Sequence, residues 1–454
     1  MKIKFSTSLI TISALSAALL LSACGSSSAS DTTTTSTVPA TSGQLVDNYV
    51  ENVDYICGDG TTGVTDENGS FNCTSLPVVF SLKGLKLGEM KTLPTDTQVF
   101  PQDLLGVART DLNNSDVIAM AQFLQSCDED RNPNNGIMIK EEVKQAFQDA
   151  NLTFDANDLD YYVTEANTSL VNEDDALHHL ESTVTFVEDL NEANIPNTIK
   201  NALLTPDANL TQETKDTLSY MGNEERLAHD VYLELYEYHI NAGNGEIKQL
   251  TNIATKSETT HIETVQSLIN KYDLNTSSFT NINMPELGYK ETKVDDMVMG
   301  TYDIQEIQDL HDVLIAKGEQ SVQDALEVGC MVEVTDINDL LTDIQTAKDS
   351  NASDIVTAFE FLRDGSYSHY WSFDTGLKNM GIVEGCCSLG QEYCHPEYPT
   401  NTKGADASSE ESCENNSTQT PTTPTTAPTE YPGSGAQEKS GPQDGTGEQK
   451  GKNK

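Results

Sequence analysis

The strongest constraint on how this chain can fold is a set of acidic and imidazole side chains that fall on otherwise apolar helical faces. Successive residues of an α-helix advance by about 100°, so each face can be counted. Over residues 217–240 the apolar stripe is Leu227, Val231 and Leu235, and Glu224 projects through it, with Glu225 a quarter-turn away as an alternative. Over residues 247–272 the stripe Ala254, Ile262, Val265 and Ile269 contains Glu258 and His261, three positions apart and able to reach one point. Over residues 322–347 Leu326, Leu340 and Ile344 define the face, with Glu333 central and Asp336 beside it. Over residues 352–377 the stripe Ile355, Leu362 and Phe373 contains His369, while Glu360 points away.

Each of these observations is commonplace by itself: a lone histidine on an apolar face is usually a hydrogen-bonded core residue. Four helices sharing the anomaly is different. An ionised carboxylate inside a bundle costs several kcal/mol unless it is paired or bound to a metal, and these faces carry few Lys or Arg partners. Four carboxylates and two imidazoles presented inward by four helices are the donor set of a carboxylate-bridged two-metal site. The expected ligands are Glu224 (or Glu225), Glu258, His261, Glu333, Asp336 and His369. Glu258 and Glu333 are the bridging candidates, and iron is the expected metal, with manganese or zinc as alternatives.

The N-terminus carries Lys2 and Lys4, an uncharged stretch from Phe5 to Leu20, and then Leu21-Ser22-Ala23-Cys24-Gly25. That order describes an export signal. The cysteine box resembles a bacterial lipoprotein signal, which implies lipidation at Cys24, membrane attachment through that lipid and a place in the cell envelope. Gly25 after the cysteine favours the outer membrane if the host is Gram-negative. No later segment reaches the roughly 18 apolar residues that a membrane-spanning helix needs. The 454 residues include 72 Asp+Glu against 26 Lys+Arg, a formal charge of −46, which opposes binding to nucleic acid and favours solubility and the attraction of cations.

Setting Cys24 aside leaves eight cysteines, Cys57, Cys73, Cys127, Cys330, Cys386, Cys387, Cys394 and Cys413, and an exported chain is expected to use them in disulfides. Cys57 and Cys73 flank a Gly-rich stretch and form a plausible pair. The cluster Cys386, Cys387, Cys394 and His395 admits disulfides ahead of a zinc knot.

The chain is expected to divide into a signal (1–23), a Ser/Thr-rich tether (24–43), a β-rich then helical module (44–190), a four-helix bundle (204–380), a Cys-rich segment (381–400) and a low-complexity tail (401–454). The fold class is therefore α+β and multidomain, with an all-α C-terminal bundle. In the module, alternation at Val78–Leu82 and turns at Asp59-Gly60 and Asn68-Gly69 signal strands, and the pattern becomes helical from Ser115 to about Leu190. Between two of those helices lies DEDRNPNNGIMIKEE, in which Asp128, Asp130 and Asn132 alternate and Gly136 and Glu142 keep a six-residue offset. This is reminiscent of a calcium loop with three extra residues, so calcium is an expected ligand there, against a plain hydrogen-bonded turn.

The strings MGNEERLAHDVYLELYE, IATKSETTHIETVQSLINKY, DALEVGCMVEVTDINDL and FLRDGSYSHYWSF together are similar to the ferritin-like domain of unknown function family 2202, over residues 204–380. The stretch GTTGVTDENGSF resembles a small β module of bacterial surface lipoproteins. The family resemblance implies an antiparallel four-helix bundle with a long connection between its second and third helices, which residues 273–302 and the amphipathic stretch 302–316 fit. The chain departs from the usual ferritin-like ligand pattern because Ser366 stands where the fourth helix would offer glutamate, and Asp336 is the candidate to restore the carboxylate. Two functions follow as expectations: a cell-envelope lipoprotein with a di-iron, ferroxidase-like domain, or a non-enzymatic surface interaction protein whose metal is structural.

Overall fold

The computed structural model describes residues 41–272, 274, 298–302 and 304–400. The signal region, Cys24, Cys413, the tail and most of the long connection lie outside the described residues. Among the described residues no helix is long and apolar enough to cross a membrane.

The first part is built on short strands: β1 (Thr41–Leu45), β2 (Val50–Glu51), β3 (Asp54–Ile56), β4 (Thr62–Val64), β5 (Ser70–Cys73), β6 (Val78–Leu82), β7 (Leu85–Met90) and β8 (Gln98–Val99). Helices α1 (Pro101–Leu105) and α2 (Ser115–Ser126) follow, then β9 (Ile137–Met138), α3 (Glu141–Ala146), β10 (Leu152–Thr153) and α4 (Leu159–Glu165). One sheet runs β10-β7-β6-β3-β4, a second β5-β1-β8, and β2 pairs with β9. Alternation in β6 sends Val78, Phe80 and Leu82 into a core shared with Phe71, Leu85, Phe123, Phe147 and Tyr162, and Cys57 and Cys73 are joined beside it. The stretch 115–190, expected to be helical, thus contains two strands. Each is two residues long and pairs in parallel with a strand far back in the sequence, so neither leaves a periodic signal.

Helices α5 (Glu173–Glu192) and α6 (Asn197–Leu203) lead to the bundle. Its four long helices are α7 (Gln212–Asn241), a second formed by α8 (Lys248–Asn252), a π-helical turn (Ile253–Glu258) and α9 (Thr259–Lys271), and then, after α10 (Gln305–Gly318), α11 (Val322–Asp349) and α12 (Ser353–Asn379). Side-chain caps set two starts: Thr211 accepts from the Thr214 amide and Ser321 from the Asp324 amide. The helices close a ring, with α7 against α9 and α11, and α12 against α11 and α9. The second helix, expected to be one uninterrupted α-helix, is instead broken by the π turn.

Two apolar cores fill the bundle. One gathers Leu218, Met221, Val265, Ile269, Leu340, Phe359 and Leu362. The other gathers Leu227, Val231, Ala254, Leu326, Val328, Phe373 and Leu377. Along every helix the acidic and imidazole positions fall between these two sets. Cys330 of α11 is joined to Cys386 and Cys387 to Cys394, and Cys386, Tyr393 and Tyr398 belong to the second core. The Cys-rich segment at 381–400 packs against the bundle and is held by disulfides. Cys127 is a buried free thiol.

Candidate metal centre

The polar layer is assembled from one residue or pair on each long helix, and local backbone geometry aims them. An extra residue in the π turn widens that turn and brings Ala254, Ser257 and Glu258 to the bundle interior together. One turn on, His261 is fully buried. Its ring lies against α12 at Gly365, where an added Cβ would come 2.5 Å from Nε2 and 2.7 Å from Cε1. Only a residue without a side chain lets that imidazole sit there.

The geometry centres on Glu258. His261 Nδ1 lies 3.0 Å from Glu225 Oε2 and 3.3 Å from Glu258 Oε2. His369 Nδ1 lies 3.0 Å from Glu258 Oε1 and 3.3 Å from Glu333 Oε2. Glu258 thus gives one oxygen to each half, and the two ring centroids are 5.5 Å apart. Two trios result, Glu225–Glu258–His261 and Glu258–Glu333–His369, each with its ligand-type atoms within 4.8 Å of one another. Outside them, His369 Nε2 meets Ser257 Oγ at 2.7 Å, Tyr232 donates to Glu333 Oε1 at 2.5 Å, and Ser366 donates to Asp336 Oδ2 at 2.6 Å. The Ser257 partner on Nε2 fixes the His369 ring and leaves its Nδ1 facing the carboxylates.

Electrostatics follow from sealing these groups away from water. Burial alone would depress both histidines. Instead Glu333 and Glu258 lift His369 to about 10, and Glu225 and Glu258 lift His261 well above its ordinary value. Burial would raise Glu258, but His369 and His261 outweigh it and hold the carboxyl well below the usual range. Burial pushes Glu225 up to about 7 against the pull of His261, and raises Asp336 with help from Glu225. Two imidazolium ions therefore neutralise a layer of carboxylates with which, among the described residues, no lysine or arginine pairs. The compensation is incomplete: Glu225 Oε1, His261 Nε2 and Asp336 Oδ1 are buried without a hydrogen-bond partner. Orphaned polar atoms of this kind ask for an explanation such as an ion.

Of the expected ligands, Glu258, His261, Glu333 and His369 come together. Glu225, the alternative, takes the place against His261, and Glu224 turns one position aside toward Asp339. Asp336 borders the layer, held by Ser366 instead of joining either trio, and Glu333 lies against His369 alone, whereas Glu258 lies against both imidazoles. Sequence reasoning did not find Ser257, Tyr232 or Gly365; a buried polar residue one turn from a ligand is the signal that could have found Ser257.

At the loop, Asp128 accepts from the amides of Asn132 and Met138, and Asp130 from the amide of Asn132 and the Asn135 side chain. Glu142 is exposed on α3. His395, the histidine of the Cys-rich cluster, contacts Glu397 and the Glu392 carbonyl.

Comparison with known proteins places the bundle among relatives. The uncharacterized protein domain DUF2202 matches residues 214–394. The uncharacterized protein MJ0754 of Methanocaldococcus jannaschii is 32% identical over 176 residues, spanning 39% of this chain and 81% of that protein. The crystal structure of hypothetical protein MJ0754 from Methanococcus jannaschii DSM 2661 is 31% identical and covers 39% of this chain and 86% of that one, with a TM-score of 0.32.

Proposed function

The chain belongs to the DUF2202 family, and from that premise and the geometry of its bundle we propose that it is a dinuclear metal-binding protein of ferritin-like type, carried on a cell-envelope lipoprotein. The observation that carries the reading is Glu258, one carboxylate shared between two imidazoles, each with a further carboxylate of its own. Glu225, Glu258 and His261 would hold one ion, and Glu258, Glu333 and His369 the other. The charges close: Glu225, Glu258, Glu333 and Asp336 balance two divalent cations once both imidazoles are neutral. Loading would therefore release protons from both imidazoles and from the carboxyls that burial raises, Glu225 and Asp336.

Mixed carboxylate and imidazole donors suit iron, with manganese or zinc as competitors. Iron held there would supply one-electron oxidation and reduction, with oxygen or peroxide as the acceptor. The protein's own part is to orient the imidazoles through Ser257 and Gly365, to anchor Glu333 through Tyr232, and to exclude water with an apolar core on each side. The N-terminal Leu-Ser-Ala-Cys box supports lipid attachment at Cys24 and an outer-membrane address.

Elemental analysis of the purified protein, with its absorption spectrum, tests the proposal. About two iron per chain, oxidised in the presence of oxygen and lost in Glu258→Ala, is the expected result. Zinc or no metal, with folding unchanged in Glu258→Ala, overturns it in favour of a surface interaction protein.

A further inference from the structure

The carboxylates of α11 continue past the centre. Asp336, Asp339 and Asp343 recur at intervals of three and four, so they share one face of the helix, and α7 packs against α11. From α7, the Glu224 carboxyl lies close to that of Asp339, and the repulsion between them raises Glu224 after burial does; nearer the start of α7, Glu213 bears in the same way on Asp343. Exposure falls in step along the row. Glu213 is exposed and Asp343 and Asp339 are half-buried, while Glu224 and Asp336 are each only 8% exposed. No lysine or arginine pairs with these groups among the described residues. Glu224 Oε2 and Asp336 Oδ1 are sealed from solvent with no hydrogen-bond partner, so the inner end of the row holds acceptor atoms that nothing satisfies.

We propose that Glu224 and Asp339, with Asp343 at the outer end, form a cation-uptake position separate from the dinuclear centre, where a hydrated divalent cation is held before passing inward beside Asp336. This rests on the reading of the bundle as a metal centre. One or two carboxylates completed by water suffice for a hydrated divalent ion. A row of like charge between low-dielectric walls concentrates cations and speeds their entry by roughly 10 to 1,000 fold. The position also accounts for Glu224, a buried acid that neither trio uses.

The test is stopped-flow loading of the metal-free full chain with cobalt(II) alone, followed by the ligand-field absorption of the ion. Asp339→Asn and Asp343→Asn preserve side-chain volume and relieve like-charge crowding, so the double variant should melt no lower than the parent. It is expected to load about 10-fold or more slowly, to reach the same final absorption, and to lose most of the salt dependence of the parent's rate. Glu258→Ala, run alongside, should give no cobalt signal. Equal rates in parent and double variant, with Glu258→Ala still silent, overturn the uptake position and leave the centre standing. A parent that gives no cobalt absorption overturns both.

Discussion

Two regions of this molecule concentrate acidic side chains, and they treat them in opposite ways. In the loop between α2 and α3, Asp128 Oδ2 accepts from the Asn132 amide at 2.8 Å and Oδ1 from the Met138 amide at 3.0 Å, while Asp130 Oδ1 accepts from the Asn132 amide at 2.9 Å. In the bundle, Glu225, Glu258, Glu333 and Asp336 lie among helices whose amides are already committed to carbonyls four residues back. A loop has free N–H groups to offer a carboxylate, and a helix interior has none. Acids buried in a bundle must therefore be met by side chains, protons or ions. The density of carboxylates is thus a poor guide to metal, and the supply of competing donors is a good one.

The sharpest way to break this contrast is Glu258→Ala. It removes the carboxylate both imidazoles share and is expected to abolish binding at both halves, seen as loss of metal in elemental analysis. In the metal-free protein it leaves two buried imidazoles short of a partner, a destabilisation of about 3–5 kcal/mol measurable by urea unfolding. Retention of even one tightly bound ion would contradict the shared role. Gly365→Ala should be milder and one-sided: the new methyl displaces the His261 ring and weakens one ion by roughly 10–100 fold, which equilibrium titration with manganese would resolve into one unchanged and one weakened site.

On the loop side, Asp128→Ala strands the Met138 amide, while the Asn132 amide keeps Asp130, and should cost about 1–3 kcal/mol without altering the metal content of the bundle. Any calcium the loop holds has to displace those amides and is expected to bind no more tightly than about millimolar, a limit that calorimetry would expose if it were wrong. The smallest effect concerns a third solution to the same problem. Asp47 is fully buried and takes hydrogen bonds from Gln125; burial pushes it up to about 7 despite that partner. Its folded value exceeds its unfolded one, so its contribution is complete below about 4 and is lost as pH rises through 7. Stability of the metal-free protein should fall over that window, and Asp47→Asn should flatten the fall. A fall of the same depth in the variant would assign it elsewhere.

The four bundle helices and their inward acids were legible in the sequence because apolar periodicity over 25 or so residues survives local irregularity. The choice between Glu224 and Glu225 was not. Neighbours differ by about 100°, both are buried, and only the position of His261 decides which meets it. Ser366 was readable as a departure from the ferritin-like pattern, but its hydrogen bond to Asp336 needs two helices in register. The Cys330–Cys386 bond was hidden for a similar reason, since pairing depends on where the chain returns after α12. Strands β9 and β10 were missed because two residues carry no alternation.

The π turn in the second helix has a genetic consequence. It holds the residues after it out of phase with those before it, so a single-codon deletion between Ile253 and Ser257 would restore a regular α-helix. Such a deletion would rephase one side of the bundle against the other, and Glu258 and His261 could no longer keep both their partners and the packing of Leu250 and Ala254. Loss of one residue here does more harm than most replacements, and the length of this segment is as much a part of the site as its side chains.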